Sequence, residues 1–200
     1  MIKVITFHIC FCLFVFNGGV YGQSEVSAKQ FQEELNASFL DTATTILSDE
    51  DLLEFDSIPF FEIDVKFIVT AKLKFPKKTE SVEFPTTTDR MAKYNVYAVA
   101  HFRIKGKKYK LNLYYNPLQK NPLYVNHLFV PFTDLTNGEE SYGGGRFIDA
   151  TKTGEKKLII DFNKAYNPYC AYSLGYSCPI PPEDNHLDVK IEAGVMYDGH

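Results

Sequence analysis

Phe61-Glu62-Ile63-Asp64-Val65-Lys66-Phe67-Ile68-Val69-Thr70-Ala71-Lys72-Leu73-Lys74-Phe75 is the stretch that decides the fold. Its odd positions are all apolar, and its even positions are polar except Ile68. A period of two puts one set of side chains on one face of a strand and the other set on the opposite face. An amphipathic helix would need apolar residues about every 3.6 positions instead. Pro76 and the Lys77-Lys78 pair end the run.

The same period recurs downstream. Tyr94, Val96, Ala98, Ala100, Phe102 and Ile104 alternate with more polar residues, and so do Tyr109, Leu111, Leu113 and Tyr115. Lys105-Gly106 lies between the two runs where a tight turn is required, which predicts a long hairpin. Its outer face would carry a basic stripe of Arg103, Lys108 and Lys110. Residues 82–84, 125–132, 147–150, 157–162 and 187–191 supply further short strands, the second nearly continuous in apolar residues. Tyr (13) and Phe (17) are abundant, and with Val and Ile they favour pleated surfaces.

Upstream the pattern is helical. Val26, Phe31, Leu35, Phe39 and Leu40 fall near one face over 24–40, with Ser24 or Ser27 to cap the start. Ser48-Asp49-Glu50-Asp51 predicts a second helix start, ended before Pro59. The expected fold is mainly β (α+β): an antiparallel β-sandwich or partly closed barrel with one or two N-terminal helices.

Met1 to Gly22 has a different character. Lys3 is followed by a mostly apolar run over 4–16, then by Gly18, Gly19 and Gly22. This is the charged, apolar and small-residue order of a removable signal peptide. The run is shorter than the ~20 residues that cross a bilayer. The expectation is a leader over 1–22 and a single β-rich domain over 23–200, secreted or periplasmic, with no integral membrane segment in the mature chain. The formal charge of −4 gives no reason to expect nucleic acid as a partner.

The C-terminal third carries long specific motifs. Leu128-Phe129-Val130-Pro131-Phe132-Thr133-Asp134 leads through Thr136-Asn137-Gly138-Glu139-Glu140-Ser141-Tyr142 into Gly143-Gly144-Gly145-Arg146-Phe147-Ile148-Asp149. Asp161-Phe162-Asn163-Lys164-Ala165-Tyr166-Asn167-Pro168-Tyr169-Cys170-Ala171-Tyr172 follows, then Cys178-Pro179-Ile180-Pro181-Pro182 and Ile191-Glu192-Ala193-Gly194. With these motifs the chain resembles the family catalogued as domain of unknown function 1684. The resemblance implies a shared β-rich fold and no known activity. Val195 departs from the family pattern, which usually continues Ala-Gly-Glu.

Cys170 and Cys178 are the cysteines that remain once Cys10 and Cys12 leave with the leader. Outside the cytoplasm their default is a disulfide; a zinc site with His186 fits no standard spacing. Gly143-Gly144-Gly145-Arg146 could cradle an anion through backbone N–H groups with Arg146 as a fork. It lacks the Gly-Lys-Ser/Thr ending of a nucleotide loop, so no cofactor is implied. A turn in which glycines supply positive φ is the plainer reading. Asp134, Thr136, Asn137, Glu139 and Glu140 read as a solvated loop rather than a calcium site.

Asp161, Asn163, Asn167, Tyr169, Asn185 and His186 mix carboxamides with aromatics. They could line a pocket or brace irregular loops. Together with Arg146 they are the ligand-binding candidates, for a small anionic or polar ligand. The alternative is a hydrolase or metal-dependent enzyme built on Asp161, His186 and the cysteines.

Overall fold

A computed structural model describes residues 18–197, with side chains from residue 25. Most of the expected leader, residues 1–17, lies outside the described residues. The elements are helix α1 (Gly18–Leu40), helix α2 (Asp49–Glu54), and strands β1 (Ile68–Lys74), β2 (Ser81–Pro85), β3 (Met91–Ile104), β4 (Lys107–Tyr115), β5 (His127–Asp134), β6 (Arg146–Thr151), β7 (Lys157–Asp161) and β8 (His186–Leu187).

The eight strands form one sheet in the order β6-β5-β4-β3-β1-β7; β2 extends the β3 edge beyond β1, and β8 pairs with β5. All pairings are antiparallel except β5 with the two-residue β8. The sheet curls into a half-barrel. Of the two architectures expected, it is the partly closed barrel. Edge strands β6 and β7 face each other across the seam, and a bridge from Phe147 to Tyr166 joins β6 to the segment that follows β7.

The β3–β4 hairpin forms as the alternation predicts. Lys105 (φ 47°) and Gly106 (φ 82°) are both left-handed, the geometry whose twist matches a two-residue hairpin. The expected single face of β3 does not persist. The register shifts between Val96 and Ala98, so Tyr97 bulges and the strand changes sides. Ala100, Phe102 and Ile104 join the core inside the curl with Leu111, Leu113, Val130, Phe132, Ile160 and Phe162. Val96 instead packs on the outer face with Phe84, Tyr114, Phe129 and Phe147.

Two further expectations are corrected. The alternation from Phe61 becomes a strand only at Ile68, because the backbone before it is engaged elsewhere. Phe61 N–H donates to Gly194 O (3.0 Å), Asn163 takes both the N–H and the carbonyl of Asp64, and the Asp64 carboxylate caps a 3-10 turn over Val65–Phe67. The strand expected over 187–191 stops at Leu187, and 191–197 runs on as an irregular strap.

Helix α2 begins as predicted, with Ser48 Oγ accepting Asp51 N–H at 3.1 Å. Helix α1 starts earlier than expected, so Ser27 is an interior residue whose hydroxyl accepts from Lys164 Nζ (2.6 Å). Its packed side is Ala28, Phe31, Leu35 and Phe39, while Val26 and Leu40 face solvent. Phe39 closes a third cluster with Ile58 and Val195.

Candidate functional site

Arg146, expected to hold an anionic group, is fully buried and holds the protein's own chain. Nη2 pairs with Asp134 Oδ2 at 2.7 Å and donates to Ile191 O at 2.8 Å; Nη1 donates to Ala193 O at 2.6 Å and Val195 O at 3.2 Å. Asp134 Oδ1 accepts from Thr136 N–H, Thr136 Oγ1 and Ile191 N–H. One ion pair thus fixes three alternate carbonyls of the strap. Burial depresses the guanidinium pKa, and the charge and hydrogen bond of Asp134 oppose that. Val195 is buried against Phe39 and Ile58.

The loop of Asp134 to Tyr142 is not solvated as expected. Asp134, Thr136 and Ser141 are buried, and Thr136 Oγ1 meets Ser141 Oγ at 2.7 Å. Asn137 Oδ1 accepts Asp134 N–H, and its amide donates to Ser141 Oγ and Tyr142 O. Two of the three glycines serve packing. A Cβ on Gly144 would lie 2.4 Å from the Tyr142 ring, and one on Gly145 (φ +86°) 2.7 Å from Phe132 O.

The other candidates divide between bracing and surface. Asn185 is fully buried and saturated, accepting Asn112 N–H (2.8 Å) and donating to Asn112 O (3.0 Å) and Pro131 O (2.7 Å). Asn163 is likewise engaged by Asp64 and by Asp161 Oδ1 (2.9 Å). Tyr169 is exposed and meets Tyr176 edge-on. His186 is exposed, with Nδ1 3.0 Å from Thr133 Oγ1. Asp161 caps the turn at Phe162–Lys164 and borders a cleft of about 600 Å³ along the β6–β7 seam. The candidates therefore do not share one cavity. Asp161 and His186 each bind other partners, and among the described residues no group of three or more His, Cys, Asp or Glu is placed to hold a metal.

Burial raises the Asp161 carboxyl pKa against the opposing hydrogen bonds of Asn163 and the charge of Lys164. A carboxyl raised in the folded state adds stability below its unfolded pKa and loses that contribution as pH rises through the folded value. Asp161→Asn keeps the Oδ1 acceptor for Asn163 without the buried charge. Its melting temperature should exceed the parent's at neutral pH, with the gap closing below about pH 4. A variant that is less stable at both pH values would contradict this account.

Asn167 has a different setting. It is buried; its amide donates to Tyr172 Oη (3.0 Å) and Met196 O (3.2 Å), while its Oδ1 is buried without a hydrogen-bond partner. Tyr172 and Met196 line a cleft of about 490 Å³ with Leu47, Phe55, Ile58, Pro59 and Tyr197. Asp51, Glu54 and Asp56 stand on its rim. Tyr197 meets Tyr142 edge-on at 5.1 Å, and the Cys170 thiol lies near the Tyr142 hydroxyl. Burial and that thiol push the Tyr142 pKa up to about 12.

Cys170 and Cys178 are free thiols in contact, with Cys170 N–H donating to Cys178 Sγ at 3.2 Å. Burial pushes the Cys178 thiol up to about 12.

Sequence reasoning missed one polar cluster. His127 Nε2 lies 2.8 Å from Asp149 Oδ1, which also accepts from Tyr166 Oη at 2.9 Å. Only the β5–β6 register, which sets His127 opposite Thr151 and Phe129 opposite Asp149, could have revealed it.

Fold and site together define a β half-barrel whose buried ion pair locks a C-terminal strap beside a surface cleft. The chain belongs to the family described as Protein of unknown function (DUF1684), whose model matches residues 53–196. It is similar to the solution NMR structure of an uncharacterized protein of Haloarcula marismortui, with 30% identity and a TM-score of 0.70, over 88% of this chain and 96% of that one. No curated protein matches the chain.

Proposed function

We propose that this is an exported protein that binds a small polar ligand in the cleft beside the strap. The cleft walled by Tyr172, Met196 and Tyr197 against Phe55 and Ile58 carries the reading, and Asn167 braces that wall from behind by donating to Tyr172 Oη (3.0 Å) and Met196 O (3.2 Å). The cleft volume falls in the range of small-molecule sites, and its lining joins apolar Leu47, Phe55, Ile58, Pro59 and Met196 to polar groups that could orient a ligand. The three rim carboxylates disfavour an anion, so the ligand class narrows to neutral polar molecules and amines. A thermal-shift screen of amines, sugars and carboxylic acids tests this. Amines or sugars should raise the melting temperature, Asn167→Ala should weaken the effect by loosening Tyr172 and Met196, and Glu54→Gln with Asp56→Asn should weaken the amine response. Stabilisation by carboxylic acids alone would contradict it.

Export rests on Lys3, the apolar run over 4–16 and the small residues that follow. In an oxidising compartment the neighbouring thiols of Cys170 and Cys178 would close into a disulfide after a local shift, worth roughly 2–3 kcal/mol for a loop this short. Protein recovered from exporting cells should start after residue 22 and yield no free thiol. Two titratable thiols in that material would contradict the disulfide, and an N-terminus at Met1 would contradict export.

A further inference from the structure

The β4–β5 connection, residues 116–126, shows an apolar surface that nothing described covers. Leu118 is 73% exposed and Leu123 84% exposed, and Tyr124 and Val125 are exposed beside them. The connection is built from its own side chains. Asn116 Oδ1 accepts Leu118 N–H (2.8 Å), and Asn121 Oδ1 accepts Leu123 N–H (3.0 Å) at the start of a 3-10 turn over Pro122–Tyr124.

Lys152 ties this connection to the neighbouring loops. Its Nζ donates to Val125 O (3.1 Å) and sits over the rings of Tyr115 (4.2 Å) and Tyr97 (5.8 Å). Tyr97 in turn meets exposed Phe75 edge-on at 5.4 Å, next to Pro76-Lys77-Lys78. The three loops therefore form one edge of the half-barrel. Its charge is strongly basic: Lys77, Lys78, Lys120, Lys152, Lys156 and Lys157 against Glu80 and Glu155, in a chain whose net charge is −4. The compensating acids cluster elsewhere, at Asp49, Glu50, Asp51, Glu54 and Asp56.

Exposed leucines that protrude from a loop, an interfacial tyrosine and a surrounding set of lysines match the requirements of a lipid headgroup boundary. Apolar tips enter the acyl edge, aromatics sit at the headgroup level, and each lysine near the surface is attracted to anionic lipid. We propose that this edge docks the protein peripherally onto an anionic phospholipid surface through Leu118 and Leu123. No described helix is long and apolar enough to cross a membrane, and this docking requires none.

Co-sedimentation of the mature chain, residues 23–200, with phosphatidylcholine vesicles, with and without about one-third phosphatidylglycerol, tests the proposal. The parent should bind the anionic vesicles preferentially and lose that binding as salt rises from ~0.1 M to ~0.5 M. Leu118→Ser with Leu123→Ser should weaken binding by about tenfold or more, because two side chains leave the acyl boundary. Lys77→Glu with Lys78→Glu should remove the anionic preference, and Lys108→Glu on the hairpin should leave it intact. All these sites are exposed, so unchanged thermal melting will confirm folding. The N-terminal residues are identical in every variant, so binding through them would not respond. Binding that ignores the loop substitutions would overturn the proposal. So would a leucine-dependent change in oligomeric state without vesicle binding.

Discussion

Arg146→Ala is expected to destabilise the protein by about 3–5 kcal/mol, because it strands a buried carboxylate. Asp134 would keep its bonds to Thr136 and Ile191 N–H but lose its cation, and the carbonyls of Ile191, Ala193 and Val195 would lose their donor. For a chain of this size the loss corresponds to roughly 10 °C or more in melting temperature. Arg146→Lys should recover little, since one ammonium cannot reproduce the planar fork that serves several acceptors. Replacing both charges, Asp134→Leu with Arg146→Met, should be milder than Arg146→Ala, because no lone charge stays buried. It should not restore the parent, because the strap carbonyls remain unmet. Chemical denaturation of the four proteins checks this. Hydrogen exchange should show the Val195 to Tyr197 amides opening first in Arg146→Ala. A variant with parental stability would show that the ion pair does not hold the strap.

Gly194→Ala is expected to cost about 2–4 kcal/mol and to lift the same strap from the other side. Gly194 has φ +80°, and a Cβ there would lie 2.6 Å from Ala165 O and 2.7 Å from Phe162 O, both backbone atoms that cannot swing aside. The hydrogen bonds of Phe61 N–H to Gly194 O and of Val195 N–H to Ala165 O depend on that approach. Gly106→Ala is the control: its φ is +82°, yet nothing lies within 4 Å of the added carbon. It should cost only the conformational share, about 1 kcal/mol. Thermal unfolding of the two variants should separate steric from conformational cost. Equal losses would mean that the strap yields without penalty.

Local pattern carried the architecture well. The alternation in 94–104 and 109–115, with Lys105-Gly106 between, contains the hairpin on which the sheet is built. It could not show the bulge at Tyr97, because a shift of register is set by what packs on each face. It overran at Phe61, where alternation is present but the backbone partners come from Asn163 and Gly194, some hundred positions away.

The motif residues stand out in sequence, but their partners are not local. Arg146 beside three glycines looks like an anion cradle in sequence. Only the fold shows that its acceptors are Asp134 and the carbonyls of 191, 193 and 195. Asn163 and Asn185 likewise brace distant backbone. The cleft itself is assembled from α2, the segment after it and the chain end, elements whose sequences carry no shared signal.

The account's central claim is that the strap walls a ligand cleft. Chemical-shift mapping of the uniformly ¹⁵N-labelled protein against the best-stabilising amine or sugar tests it most directly. The predicted result is saturable movement of the backbone signals of Phe55, Tyr172, Met196 and Tyr197 and of the Asn167 side-chain amide. Saturable shifts confined to the β6–β7 seam around Asp149 and Asp161, with the strap unmoved, would contradict it.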